Sequence, residues 1–511
     1  MSASTEKKNR IAAREAGTDK KLLAQQEEMA KKAKSKRRWT WGTVGVIALI
    51  AAIIILNSGL MYSSTKAVTV GDTKYSPAEM NYYYANQYLN FYNTYGSYAS
   101  IFGLDTSNGI AGLKDQPCTM MDDGSTWFDY FMDGALNDVK QVNALVKYAK
   151  ANNISLTEEE LAAVDEQIAV FDTYAEAYGY SNADNFLGAQ YGTGVTTDVM
   201  RKAIIDAELA GKAAAQYADG LEYTAEELEA EYETLKESYD TYQYASYLIS
   251  AEKAEGETEV SEEALKQAKG TANLVFGAYN KNKEAADYVE RLNAAIAEQG
   301  LEGEATVSKS ATAAGLGAMA EWLTDESREA GQVKVIENDA GDGCYVVVFL
   351  GHNDNHYPTV SVRHILIKAE AEEDGTYTDE AKAAALARIE EIKAEYEAGA
   401  KTEEAFATMA NLYSEDAGSN TNGGLYENVS KGQMVEEFDA FCFEGHKAGD
   451  LGVVYGENSG YAGYHLIYFV GEGENYSDYI ARSALVSEAS QEWLDSMVVE
   501  PETHFWSKLI G

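Results

Sequence analysis

VSVRHILIKAE, residues 360–370, decides how the C-terminal half of the chain folds. Aliphatic and β-branched side chains dominate this segment, which predicts a β-strand with little exposure to solvent. His364 lies in the middle of the predicted strand, an unusual position for a polar ring in a hydrophobic segment. His364 is therefore a candidate functional residue.

Two helices are predicted directly after this strand. Thr378 is a helix cap before DEAKAAALARIEEIKAEYEAG, residues 379–399, and Gly399 closes that helix. A second predicted helix opens at residues 401–404 and ends near Tyr413. The hydrophobic strand is thus followed by two helices that can cover it.

The remainder of the region predicts a loop, a short helix and two strands. The loop is the turn-rich SEDAGSNTNGG at residues 414–424, and the helix is GQMVEEFDAF at residues 432–441. The strands lie near residues 451–455 and 463–471. The order strand, two helices, loop, helix and two strands predicts an α+β domain.

Five short motifs stand in this region in a fixed order. They are RHILI, YSED, GG, GQMVEEF and GYHLI, which begin at residues 363, 413, 423, 432 and 463. Together they resemble the parvulin-type peptidyl-prolyl isomerases over residues 358–472. The resemblance implies a peptidyl-prolyl cis–trans isomerase domain that uses neither a cofactor nor a metal.

The resemblance also implies the catalytic residues. Two histidines, His364 and His465, are expected back to back on the central strands, with Asp416 of the loop beside them. The competing interpretation is that the two imidazoles only satisfy each other's hydrogen bonds in the core.

A substrate pocket is implied as well. Met434 and Phe438 are expected one helical turn apart in an apolar pocket for the prolyl ring, and Gln433 is expected to contact the substrate backbone. Leu425 is the predicted remaining wall, with Tyr426 as the alternative.

Two departures from the family pattern bear on activity. The chain has no acidic residue directly after Gly423 and Gly424, where the family usually carries one. Ala462 stands three residues before His465, where some members carry a hydroxyl group. The level of isomerase activity is therefore left open.

Residues 240–351 resemble an earlier copy of the same unit. YASYLISAE aligns with VRHILIKAE and puts Ser246 at the position of His364. GCYVVVFLG aligns with GYHLIYFVG and puts Tyr345 at the position of His465. We expect a degenerate parvulin-like domain without the catalytic histidines; a chance likeness of two β-rich ends is the alternative.

Helix-start signals recur through residues 62–239. Ser76, Thr157 and Thr224 are each followed three residues later by Glu, the pattern of a capping box. This mostly helical stretch resembles the N-terminal module of PrsA-type and SurA-type foldases. Residues 473–511 predict a C-terminal helical segment, which in those foldases packs on the N-terminal module.

The N-terminus carries a candidate membrane anchor. WTWGTVGVIALIAAIIILNSGLM, residues 39–61, has no charge and is long enough to cross a bilayer of about 30 Å. KKAKSKRR precedes it, which predicts a basic cytoplasmic tail at residues 1–38. We therefore expect a transmembrane signal anchor, a single-pass cell-membrane location and an extracytoplasmic body. A cleaved signal peptide is the alternative, although no A-x-A-like cleavage site is evident.

The composition excludes several classes of function. The formal net charge of −42 argues against a nucleic-acid partner, because phosphate-binding surfaces are basic. The three cysteines, Cys118, Cys344 and Cys442, lack the spacings of zinc sites and disulfide frameworks. Neither an H-E-x-x-H nor a G-x-S-x-G motif is present.

Together these features predict a membrane-anchored extracytoplasmic foldase. It would isomerise X-Pro bonds in unfolded or emerging secreted polypeptides, which are its expected partners. The alternative is a holdase, a non-catalytic chaperone that binds peptides through its parvulin-like modules.

Overall fold

The computed structural model describes residues 6–9, 11–12, 31–32, 34, 36, 43–44, 46–48, 59–121, 123–253, 257, 259–283 and 287–511. The chain divides into two compact units. The first unit comprises residues 1–221 and 489–511, and the second comprises residues 222–488.

The first unit is mainly helical. Its elements before residue 222 are α1 (Leu60–Ser64), β1 (Val68–Val70), β2 (Thr73–Tyr75), α2 (Pro77–Tyr95), α3 (Trp127–Ala151), α4 (Glu158–Ala177), α5 (Ala183–Tyr191) and α6 (Thr197–Asp219).

The second unit contains two sheets with their helices. Its first part holds α7 (Ala225–Tyr239), β3 (Thr241–Ser250), α8 (Glu262–Lys281), α9 (Tyr288–Glu298), β4 (Thr306–Thr312), α10 (Ala320–Leu323), β5 (Val333–Glu337) and β6 (Gly343–Asn353). Its second part holds β7 (Pro358–Lys368), α11 (Asp379–Ala398), α12 (Glu403–Tyr413), β8 (Leu425–Val429), α13 (Glu436–Phe443), β9 (Leu451–Asn458) and β10 (Tyr461–Asn475). Helix α14 (Tyr476–Met497) and strand β11 (Glu502–Thr503) follow.

The predicted helix starts at Ser76, Thr157 and Thr224 are confirmed. Each side-chain hydroxyl accepts the backbone N–H of the Glu three residues later, and that Glu accepts the backbone N–H of the cap. The reciprocal bonds satisfy N–H groups that the first turn of a helix leaves without a partner.

Aromatic side chains fill the core of the first unit. Tyr84, Trp127 and Phe131 are almost completely buried there. The C-terminal residues of the chain belong to the same unit, because β11 pairs with β1 and Trp493 stacks on Tyr217 at 4.0 Å between ring centroids. The expected return of the C-terminal segment to the N-terminal elements is therefore observed.

The two four-stranded sheets of the second unit have the same strand order. The first runs β4-β3-β6-β5 and the second β8-β7-β10-β9, and all neighbours are antiparallel. Their central pairs also share a register, since Ser246 lies opposite Val347 as His364 lies opposite Ile467. Helices α8 and α9 pack on one face of the first sheet, as α11 and α12 do on the second.

The predicted transmembrane helix requires a correction. Within the described part of the chain, no helix is long and apolar enough to cross a membrane. Most of the predicted anchor at residues 39–61 lies outside the described residues. The prediction of an N-terminal transmembrane helix is therefore wrong on this structure, and so is the single-pass membrane location that depended on it.

Helix α13 also differs from its prediction. It begins at Glu436 rather than at Gly432, because Gly432 has a φ of +81° and residues 430–433 form a turn. Met434 consequently lies just before the helix, and Phe438 lies within its first turns.

Candidate active site

Strand alternation brings the two histidines to one face of the second sheet. β7 and β10 are the central strands, and successive side chains along each of them point to opposite faces. Val362 and Ile467, which flank the histidines on the same face, pack in the core beneath α13. His364 and His465 therefore lie on the α13 face, and each is only 4% exposed.

A continuous set of polar contacts joins the three predicted catalytic residues. His364 Nδ1 lies 3.0 Å from His465 Nδ1, and His364 Nε2 lies 2.9 Å from Asp416 Oδ2. The hydroxyls of Ser419 and Tyr426 donate to the same carboxylate oxygen at 2.5 Å and 3.0 Å. The structure thus brings His364, His465 and Asp416 together, as the resemblance implies.

The charges in this cluster follow from its contacts. The hydrogen bond from His364 holds the pKa of Asp416 far below its usual range, and the Ser419 and Tyr426 hydroxyls act in the same direction. Burial lowers the pKa of His465 to about 3, and His364 adds to this effect. Asp416 is therefore an ionised acceptor and His465 a neutral ring near neutral pH.

Each ring nitrogen of the pair has a hydrogen-bond partner. His364 Nε2–H donates to the ionised Asp416, and one proton is shared between His364 Nδ1 and His465 Nδ1. The Tyr461 hydroxyl then donates to His465 Nε2, 2.9 Å away. Burial raises the pKa of Tyr426 and of Tyr461, which keeps both hydroxyls protonated as donors.

Phe438 provides the apolar side of the cluster. Its ring is 2% exposed and meets both imidazoles edge-on, at centroid distances of 5.5 Å to His364 and 5.2 Å to His465. Met434 is partly buried against the same cluster, as are Val435 and Tyr426. The arrangement places an apolar, partly exposed patch directly beside a buried polar network.

Tyr426, and not Leu425, lies on the His364 face of the sheet. In the β7–β8 pair, Tyr426 lies opposite Val362 and Leu425 lies opposite Arg363. Since paired residues share a face, Tyr426 is on the His364 side and Leu425 is on the other. The predicted contact between Leu425 and a substrate stays a prediction, from a residue on the face opposite His364.

Gln433 has a local role in the structure. Its side-chain oxygen accepts the backbone N–H of Ser430 at 3.0 Å, which closes the turn before α13. Gln433 as a whole is exposed, at the edge of the apolar patch. The predicted contact between Gln433 and a substrate backbone stays a prediction.

Two residues of the network were missed in the sequence. Ser419 is completely buried and donates to Asp416 from three residues further along the loop. Tyr461 is four residues before His465 on the same face of β10. An Asp-x-x-Ser spacing and a Tyr four residues before His465 were the available signals. Ala462 lies on the opposite face of β10 by strand alternation.

The loop that contains Gly423 and Gly424 is hydrogen-bonded to the backbone of His364. Gly423 and Gly424 both have positive φ, +76° and +70°, a conformation that favours glycine. The carbonyl of Gly424 accepts the His364 N–H at 2.8 Å, and the Gly424 N–H donates to the Ser419 carbonyl at 2.8 Å. The loop therefore positions His364 and Ser419 together, although it lacks the usual acidic residue.

Replacing Gly424 with alanine is expected to destabilise this domain by at least about 2 kcal/mol. The new Cβ would meet the carbonyl oxygen of His364, in addition to the strain of a positive φ. Gly375→Ala is the matched control, since Gly375 has a φ of +82° and open space around its Cβ position. Calorimetry of the full chain should show a larger loss for Gly424→Ala; equal losses would contradict the proposed clash.

Comparison with known protein families identifies this region. Residues 345–471 match the family described as the PPIC-type PPIASE domain. The match begins within β6 of the first sheet and covers the whole second sheet. It contains all three residues of the polar cluster and the apolar patch beside them.

Relatives are found among curated proteins and solved structures. The chain is 28% identical over 242 residues to the Chaperone SurA of Alkalilimnicola ehrlichii, covering 44% of this chain and 48% of that one. It thus spans about half the length of this curated relative.

Solved structures of PrsA proteins also match. A peptidylprolyl isomerase (PrsA) from Bacillus cereus is 17% identical, with coverage of 59% of this chain and 82% of that chain and a TM-score of 0.20. The foldase protein PrsA from Streptococcus pneumoniae is 11% identical, with coverage of 74% and 89% and a TM-score of 0.20. The family match, rather than these structural likenesses, identifies the domain. Over residues 345–471, the chain is therefore similar to the PPIC-type, or parvulin-type, peptidyl-prolyl isomerase domain.

Proposed function

We propose that the domain at residues 358–472 isomerises X-Pro bonds in client polypeptides, with His364, Asp416 and His465 as its catalytic residues. The observation that carries this proposal is the buried polar network beside a partly exposed apolar patch. Hydroxyl groups of Ser419, Tyr426 and Tyr461 complete the network and hold its carboxylate and imidazoles in fixed positions beside the patch.

The reaction requires no covalent intermediate. Rotation about an amide bond costs about 18–20 kcal/mol because the planar form is stabilised by resonance. In the twisted form that resonance is lost, and a catalyst acts by binding the twisted form better than either planar isomer. A site for this reaction has to hold the prolyl ring and to present oriented polar groups to the rotating amide.

The apolar patch is suited to hold the ring. Phe438 is fixed against both imidazoles, while Met434 and Tyr426 are partly exposed beside it. In the proposed complex these three side chains enclose the prolyl ring and exclude water from the amide. The hydrogen-bonded imidazoles and the ionised Asp416 then provide a field whose dipoles are already oriented before the amide rotates.

A protease-coupled assay of a proline peptide with the full chain tests the proposal. We expect the slow cis population to be converted faster in proportion to enzyme concentration. A folded protein that leaves the uncatalysed rate unchanged would refute the catalytic role.

We also propose roles for the regions on either side of this domain. Residues 240–351 form a parvulin-like domain without catalysis, which is supported by the shared strand order and register of the two sheets. Residues 62–239 serve as a helical peptide-binding module, and residues 473–511 as a helical segment that completes it.

A second candidate function is that of a holdase. Ser246 and Tyr345 replace the two histidines in the first sheet, so that sheet retains the fold without the network. A holdase is expected to suppress client aggregation equally well after His364→Ala and Asp416→Ala are combined. A foldase whose action depends on isomerisation would lose its effect on a client that is limited by proline isomerisation.

A further inference from the structure

A polar basin lies on the first sheet domain, away from the histidine cluster. It is bordered by the end of α8, the start of α9 and the segment that leads into β5, and it encloses about 600 Å³. Three cations line it: Lys283, Arg291 and Arg328. In the described part of the chain no Asp or Glu side chain lines this basin, although the formal net charge of the whole chain is −42.

Arg291 is the unusual member of this group. It is only 8% exposed, and its Nε–H donates to the carbonyl of Tyr279 at 2.7 Å. Its guanidinium lies 3.9 Å from the centroid of the Tyr279 ring. Among the residues that the structure describes, it forms no ion pair with a carboxylate. An arginine stays charged at every physiological pH, so a buried one normally has an anionic partner.

The other two cations differ in their partners. The charge of Arg328 is neutralised by Asp325, to which its guanidinium donates a hydrogen bond at 2.9 Å. Arg328 also donates to the side-chain oxygen of Gln332 at 2.8 Å. Lys283 is exposed at the border of the basin and forms no ion pair with any described residue. Among the described residues, two positive charges, on Arg291 and Lys283, thus line one basin without a counter-charge.

We propose that this basin binds an oxyanion, with Arg291 and Lys283 as its cationic ligands. The planar guanidinium presents two N–H groups to a pair of oxygens, a geometry that suits carboxylates and phosphates. Tyr279 fixes the guanidinium from one side through its ring and its carbonyl, so the side chain is oriented before the anion arrives. The anion is either a small free ion or a carboxylate carried by a polypeptide, since both present the same oxygens.

Calorimetric titration of the full chain at constant ionic strength tests this site. The probes are inorganic phosphate, a blocked tripeptide with a central Glu, and the same tripeptide with Gln. We expect one saturable site whose affinity falls about tenfold or more in Lys283→Gln and in Arg291→Gln. Lys283 is exposed, so Lys283→Gln tests the proposal even if Arg291→Gln does not fold.

Arg388→Gln is the matched control, because Arg388 is a half-exposed arginine that pairs with Glu391 on the other sheet domain. Binding of phosphate alone would identify a small anion as the occupant, and binding of the Glu peptide but not the Gln peptide would identify a polypeptide carboxylate. Absence of binding by all three probes, or equal binding by Lys283→Gln and the wild type, would overturn the proposal. Isomerase activity is expected to be unchanged in Lys283→Gln, which separates this test from that of the histidine cluster.

Discussion

Replacing Asp416 with alanine is expected to lower kcat/KM for an X-Pro peptide by about 100-fold. The change removes the acceptor of three donors, His364 Nε2–H, Ser419 Oγ–H and Tyr426 O–H. Without that acceptor, the orientation and tautomer of His364 are no longer fixed, and the ring loses its alignment with His465. The measurement is the protease-coupled rate with the full chain.

Two variants separate the role of Asp416 from a general loss of charge. Asp416→Asn keeps the shape of the side chain and removes its charge, so an intermediate loss is expected. Glu415→Ala removes the neighbouring carboxylate, which accepts the Lys368 N–H outside the network, and should leave kcat/KM close to that of the wild type. An Asp416→Ala protein with wild-type kcat/KM would contradict the assigned role.

The stability of the second sheet is expected to fall as the pH falls from 6.5 towards 3. Burial lowers the pKa of His465 from 6.5 to about 3, so in this window the unfolded chain binds a proton that the folded chain does not. The free energy of unfolding then rises with pH, with a slope of at most about 1.4 kcal/mol per pH unit from this group. Asp416 acts in the same direction at the acidic end, because its pKa in the folded chain is also lowered.

Amide hydrogen exchange in β7 and β10, corrected for the intrinsic rate at each pH, measures this local stability. His465→Gln should flatten the dependence between pH 6.5 and the onset of acid unfolding. Tyr461→Phe retains the buried imidazole and should keep the slope, so it serves as the control. A His465→Gln protein with an unchanged slope would show that another group is responsible.

The histidine cluster could be predicted from the sequence because the local hydrophobic pattern indicates where each strand lies. Hydrophobic alternation around His364 and His465 indicates β-strands, and two strands that pair in one register bring both rings to one face. The acidic residue of the loop, Asp416, follows from the order of motifs in the family. These residues meet in the structure within hydrogen-bonding distance.

Contacts that depend on a turn conformation, or on a glycine that leaves room for a neighbour, could not be predicted from the sequence. The Tyr461 hydroxyl meets His465 Nε2, and a side chain at Gly456 of the neighbouring strand β9 would meet that same nitrogen. The choice of Tyr426 over Leu425 depends on the register of β8, which local pattern does not specify. The start of α13 depends on the backbone conformation at Gly432.

The N-terminal prediction was wrong for a different reason. It used hydropathy and charge over residues 39–61 alone, and no described helix has the length and apolar character of a membrane span.

The helix starts of the first unit were predictable because a capping box is a local pattern with its own hydrogen bonds.

Equilibrium exchange spectroscopy on an X-Pro peptide tests the central claim most directly, because it measures isomerisation without a second enzyme. With a catalytic amount of the full chain, we predict cis–trans exchange cross-peaks at mixing times well below the uncatalysed time of about 10–100 s. The same amount of the Asp416→Ala protein should give almost none. Absence of exchange with the folded wild type, or equal exchange with both proteins, would contradict catalysis by the His364–His465–Asp416 cluster.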